Sequence, residues 1–154
     1  MTKRINKNWE MFDPTQWDIT EVNDGNYSSF IYIVEFPNSD QFYIGKKSVF
    51  KGVKDISKLK PTSIETDWQK YTTSSRIVNE YIDDGMEYTK KILWCFGTDA
   101  EASIMEAALI SIYGFHRLNL NFALIVRTKF TKQKHRNFEV LQDLVEMINI
   151  NIGR

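Results

Sequence analysis

Cysteine occurs once in these 154 residues, so no intramolecular disulfide can form and a cytoplasmic setting is expected. The lone Cys95 lies in the apolar run Ile92-Leu93-Trp94-Cys95-Phe96, which predicts a buried, inert thiol. No apolar run approaches the roughly 20 residues of a membrane span. Behind Lys3 and Arg4 there is no apolar stretch, so a secretory signal is not expected. Internal repeats and low-complexity stretches are also missing. Net charge is absent too, with 20 Lys and Arg against 20 Asp and Glu. What remains is an ordinary globular composition, 42% hydrophobic and 26% charged, long enough for one domain with one real core.

The zero balance conceals a segregation. Tyr43 to Arg76 holds eight basic residues against three acids, and Arg117 to Arg136 holds six and none. Seven acids gather between Ile77 and His116 against two lysines. Two basic segments fit a nucleic-acid surface, or two solvated loops.

Ser29 to Phe36 is rich in β-branched and aromatic residues and predicts a strand. Pro37-Asn38-Ser39-Asp40 is turn chemistry, and Gln41 to Lys47 is the returning strand. A tight turn centred on Asn38-Ser39 sets Tyr32 opposite Gly45 and Val34 opposite Tyr43. Both phenols then share a face, and the bare Gly45 leaves room beside Tyr32 for a bulky group. A slip of one residue would separate them. Phe50 to Trp68 predicts a long, Lys-rich, mobile connection. Ser75 to Asp84 predicts a helix capped by Ser74 or Ser75 and closed at Gly85. Thr89 to Phe96 is a further strand, and Thr98-Asp99-Ala100-Glu101 a capping box opening a helix to Tyr113. Phe122 to Thr128 is another strand candidate, and Asn137 to Ile148 a last amphipathic helix, covering the core or pairing with a second copy. The fold class expected is α+β, a small, mainly antiparallel sheet of three or four strands flanked by helices.

Glu106 is the only charge between Ala102 and Tyr113. In a helix apolar nearly all round it needs a cation or a donor. A magnesium ion would serve, as would an exposed strip or a lysine.

Phe30-Ile31-Tyr32 and Tyr43-Ile44-Gly45, followed by Lys46 and Lys47, resemble the signature of the GIY-YIG nuclease family. Phe30 stands where the family name has glycine; Tyr43-Ile44-Gly45 matches in full. Lys46 matches the lysine that repair-type members carry there. Glu106 matches the metal-binding glutamate, and Asn121 (or its neighbour Asn119) the asparagine that follows. Ser74-Ser75 before a helix, and the run from Thr66 to Ser75, look most like the free-standing, homing-like Seg-type endonucleases of bacteriophages. The resemblance covers roughly residues 28–129. It implies a 1–27 extension, a 28–130 nuclease domain and a 131–154 helical tail on the same domain.

The activity implied is phosphodiester hydrolysis in DNA with Mg2+, or Mn2+, on Glu106. Tyr32 is then the general base, its phenolate favoured by Lys46, Lys47 and the metal, with Tyr43 assisting. Residues 49–54 lack the arginine that many members place there. Arg76 is the best substitute on the scissile phosphate and Lys70 the second, with His116 an auxiliary donor. Asn121 would orient Glu106 or a phosphate oxygen. Lys46, Lys47, Lys51, Lys54, Lys70, Arg117, Arg127 and Lys129 would track the DNA backbone. Trp68 and Phe50 would stack on bases or act as buried anchors. A non-cutting nucleic-acid-binding phage protein on the same scaffold is the alternative, and a homodimer stays open.

Overall fold

A strand with one wet face should be buried at alternate positions, yet Ser29–Phe36 is buried at seven of its eight. It is therefore an inner strand covered on both faces. The computed structural model describes residues 7–122 and 132–152. Among these, four strands make one mixed sheet: β1 (Glu10–Met11), β2 (Ser29–Phe36), β3 (Gln41–Ser48) and β4 (Thr89–Phe96), in the order β1-β4-β2-β3. β1 runs parallel to β4, and the other pairs are antiparallel. Three helices complete the described fold: α1 (Arg76–Asp83), α2 (Asp99–Tyr113) and α3 (Lys134–Ile152). The α+β expectation holds, with the fourth strand supplied by Glu10–Met11. Ala123 to Thr128, the rest of the other strand candidate, lies outside the described residues; Phe122 itself is exposed and in no strand.

The hairpin has the expected register, Tyr32 opposite Gly45 and Val34 opposite Tyr43. Its loop is longer than the tight turn expected, closing at Phe36 and Gln41, but its centre is the same, so no side chain changes face. Asp40 adopts φ 59° there, a conformation its short polar side chain tolerates. On the other side, pairing with β4 slips between Ile31 and Tyr32, leaving Leu93 unmatched. The extra residue is on β4, so it is β4 that bends, opposite the first tyrosine.

Each face of the sheet has its own core. Phe30, Tyr32, Val34 and Phe36 meet Trp9, Trp68, Val78 and Ile82. Ile31, Ile33, Phe42 and Ile44 meet Met105 and Leu109 of α2 and Val140, Leu144 and Ile148 of α3. Ser75 caps α1 through Val78 N, and Thr98 caps α2 through Glu101 N. Gly85 follows α1 at φ 87°, as a left-handed cap requires. The 50–68 connection is ordered rather than mobile. Lys51 N donates to Ile64 O, Thr66 N to Val49 O and Ile56 N to Gly97 O, while Phe50 and Trp68 are buried at its ends. No helix among the described residues is long and apolar enough to cross a membrane.

Candidate functional site

The Tyr32 phenol lies across Gly45. A β-carbon at position 45 would collide with its Cζ and Oη. The gap at Gly45 is thus filled by Tyr32 itself, not held open for a bulky group as expected. Because β3 is the outer strand, this crossing carries the hydroxyl toward the margin of the sheet. The rings of Tyr43 and Tyr71 each lie 6.3 Å from that of Tyr32, and Trp9 lies 5.1 Å away. Thr73 serves both Tyr32 and Tyr43 with hydrogen bonds that favour ionisation, and Ser74 adds one to Tyr43. The Thr73 hydroxyl also accepts from Ser75 N at 3.0 Å, which ties the entrance of α1 to the phenols.

Burial pushes the Tyr32 phenol well above its ordinary range, and Tyr71 and Tyr43 add to this. The lysines expected to favour its phenolate are engaged elsewhere, which corrects that expectation. Lys46 alternates onto the opposite face, 2.7 Å from Asp99 and 2.8 Å from Ser103 Oγ. Lys47 pairs with Asp67 at 2.8 Å and sits 4.1 Å over the Tyr71 ring. Tyr43 is also shifted up, chiefly by burial, with the Glu106 charge contributing.

Glu106 projects from α2 on the Lys46 side of the sheet. It is half-buried, and burial raises its carboxyl above the usual range; Lys46 opposes the rise and Asp99 adds to it. The acid is therefore neither sealed nor neutralised, and its charge reaches Tyr43 across the outer strand. A desolvated carboxylate with incomplete compensation fits a divalent cation. No cage of three or more His, Cys, Asp or Glu exists among the described residues. A single carboxylate completed by water and phosphate oxygens is the Mg2+ pattern.

Asn121 corrects another expectation. Its Oδ1 accepts from Ile44 N at 3.0 Å and its Nδ2 donates to Ile44 O at 2.7 Å. Both ends of the amide hold the peptide between Tyr43 and Gly45, so the residue positions β3 rather than Glu106. Asn119, the near alternative, is buried and accepts from Asn121 N at 2.6 Å. His116 accepts from Leu118 N and packs 5.6 Å from Phe42, a structural placement.

Arg76 begins α1, three residues beyond Thr73, its side chain 93% exposed and 3.0 Å from Glu80. Lys51, Lys54, Lys70 and Arg117 are exposed. Arg127 and Lys129 lie outside the described residues. Of the two roles expected for Trp68, DNA-base stacking is corrected to buried anchor: it is 3% exposed, its carbonyl accepts from Trp9 Nε1 at 2.6 Å and its indole donates to Glu65 at 2.7 Å. Cys95 is buried as expected, its thiol pushed up to about 12 by burial. Sequence reasoning missed Asp99, Ser103, Tyr71 and Thr73. Asp99 was visible only as a helix-capping residue, and Thr73 only as part of a polar run.

A family model described as "Putative endonuclease segE, GIY-YIG domain" matches residues 9–115. No curated protein and no solved structure matches the chain. The match begins at the buried Trp9 and includes both tyrosines, Lys46, Thr73, Asp99 and Glu106.

Proposed function

The chain belongs to the SegE-type GIY-YIG endonuclease family, and from that premise we propose that it cuts DNA by metal-dependent phosphodiester hydrolysis at the margin of β3. The observation that carries this is the family match over residues 9–115 together with the half-buried Glu106 that α2 presents on the side of the Lys46–Asp99 pair. A divalent cation on Glu106, Mg2+ or Mn2+, would supply Lewis-acid stabilisation of charge on the phosphoryl and leaving oxygens. Lys46, held by Asp99 and Ser103, keeps a fixed positive charge beside that carboxylate.

Tyr32 takes the proton of the attacking water, and Thr73 is the neighbour that favours its ionised form. Burial raises the phenol and so disfavours its ionised form, which the bound substrate and cation would have to offset. Tyr43, less buried and beside Glu106, orients the water. Arg76 reaches the scissile phosphate from the start of α1, where exposure leaves its planar fork free to leave Glu80. Exposed Lys51, Lys54, Lys70 and Arg117 follow the flanking phosphates. Membership in a family of phage endonucleases also makes a phage origin our reading.

The test is plasmid nicking with Mg2+, comparing wild type with Glu106→Ala and Tyr32→Phe. Loss of nicking in both variants, with folding intact by circular dichroism, is the expected result. Equal activity in all three proteins would refute the assignment. Salt-sensitive DNA binding with no cleavage under Mg2+ or Mn2+ would favour a non-cutting DNA-binding protein, a reading that draws on the raised phenol of Tyr32.

A further inference from the structure

On the tyrosine face of the sheet, behind Trp9, lies an open cleft of about 510 Å³ that takes no part in the chemistry above. Asn8, Thr20, Asn23 and Gln69 supply its polar lining, with the edges of Trp9 and Trp68 as its wall. No charged side chain is among its described lining residues. Asn23 is engaged with Glu65 at 3.0 Å and the Thr20 hydroxyl with Asp18 at 2.8 Å. The exposed carboxamides of Asn8 and Gln69 show no hydrogen bond among the described residues.

The cleft is joined to the reaction centre from two directions. The Trp9 ring is 5.1 Å from that of Tyr32. Gln69 stands two residues before Tyr71, whose ring is 6.3 Å from the same phenol. Exposed Lys70, between Gln69 and Tyr71, can hold a phosphate next to whatever occupies the cleft.

Resting on the nuclease reading, the geometry points to a pocket for an unpaired adenine base of the bound DNA, behind Trp9 and read by the carboxamides of Asn8 and Gln69. The lining argues for this ligand. The described lining has no cation for a phosphate or carboxylate, and the Glu65 carboxylate stands behind Asn23 and Trp68, while Ile19 and the carboxamides together offer a neutral ligand both apolar contact and hydrogen bonds. A carboxamide offers a donor and an acceptor side by side, which matches the amino group and ring nitrogen on one edge of adenine. Trp9 and Trp68, at 5% and 3% exposure, form a rim rather than a stacking platform, so selectivity falls to the amides. A concave site admits a base displaced from its stack more readily than the flat edge of a paired duplex.

Tryptophan emission reads the occupant directly, because two indoles form the wall. Full-length protein is titrated with deoxyadenosine 5′-phosphate, with the purine deoxynucleotide lacking the 6-amino group, and with deoxyribose 5-phosphate. The expected result is saturable quenching by the adenine nucleotide, at least tenfold weaker binding without the amino group, and no response to the sugar phosphate. Asn8→Ala with Gln69→Ala should erase the preference without unfolding, since both positions are exposed. Equal responses to all three probes, or a preference that survives the double substitution, overturn the pocket, whether or not the protein cleaves DNA. Adenine-selective binding in a protein that never nicks DNA supports the pocket and refutes the nuclease reading alone.

Discussion

The two faces of the sheet differ in chemistry as much as in covering. One is aromatic and polar: Trp9, Phe30, Tyr32, Trp68 and Tyr71 are packed ring against ring and held under α1 and the 50–68 connection. The other is aliphatic and closed by two helices, and its notable charges are Lys46, Asp99 and Glu106. The cations differ in their partners: Lys47 lies over the Tyr71 ring and pairs with Asp67 on the aromatic face, while Lys46 is held by Asp99 and Ser103 on the other. The faces meet only at the outer strand, where Tyr43 feels Glu106. A thin margin between two dissimilar cores can hold proton-transfer groups and a cation-binding acid apart until substrate bridges them.

The largest expected effect comes from removing the charge on the aliphatic side. Glu106→Gln should lower nicking by about 10³-fold or more, measured with supercoiled plasmid in Mg2+. The same variant sharpens the comparison through stability. Burial holds the Glu106 carboxyl above its ordinary value, so the folded state binds that proton more tightly than the unfolded chain does. That contribution is fully present at low pH and is lost as pH rises through the folded-state value. In metal-free buffer, wild type should therefore lose stability relative to Glu106→Gln as pH rises above the ordinary carboxylate range of about 4, read by urea denaturation.

On the aromatic side the pH effect is read in the rate rather than in stability. If Tyr32 works as the phenolate, nicking should climb about tenfold per pH unit from about 7 to 9, because its folded-state value is raised. A flat profile would mean that the phenol acts as a neutral donor.

Next in size is Gly45→Ala. Its new methyl meets the buried Tyr32 ring and should cost about 1–3 kcal/mol in denaturant unfolding. In a Tyr32→Leu background the cost should nearly vanish, which isolates the collision. Asn121→Ala should cost about 1 kcal/mol by uncoupling the Ile44 peptide, and lower nicking through Tyr43 with no change in Mg2+ dependence. The smallest effect belongs to the surface: Lys51→Ala with Lys54→Ala should leave unfolding unchanged and flatten the salt dependence of DNA binding by about two units of slope.

Local chemistry made much of this legible. The Pro37–Asp40 turn fixed a hairpin register that put Tyr32 over Gly45, and Ser75, Gly85 and Thr98 marked helix boundaries that the structure keeps. Glu106 stood out because one charge in an apolar helix must be compensated. What stayed hidden depends on distant partners. Glu10–Met11 is too short to show a period, and only its parallel pairing with Lys91 and Ile92 makes it a strand. Trp68 among lysines looks like a stacking residue until Trp9 and Phe30 close over it. Lys46 was expected to favour the Tyr32 phenolate; strand alternation turns it to the other face, where its grip on Asp99 depends on where α2 lands. Asn121 could be matched to a motif, yet its target was a peptide group, which sequence does not advertise.

The Asn121 amide has a consequence for association between molecules. From Phe42 to Ile44 the outward peptide groups are already taken, by Leu118 and Leu120 backbone and then by this one side chain. An incoming strand would find nothing to pair with along that stretch, so the rim resists the cross-chain sheet growth that begins many aggregates. Copies that meet along this stretch must do so through side chains, leaving the Tyr43 strand as each monomer builds it.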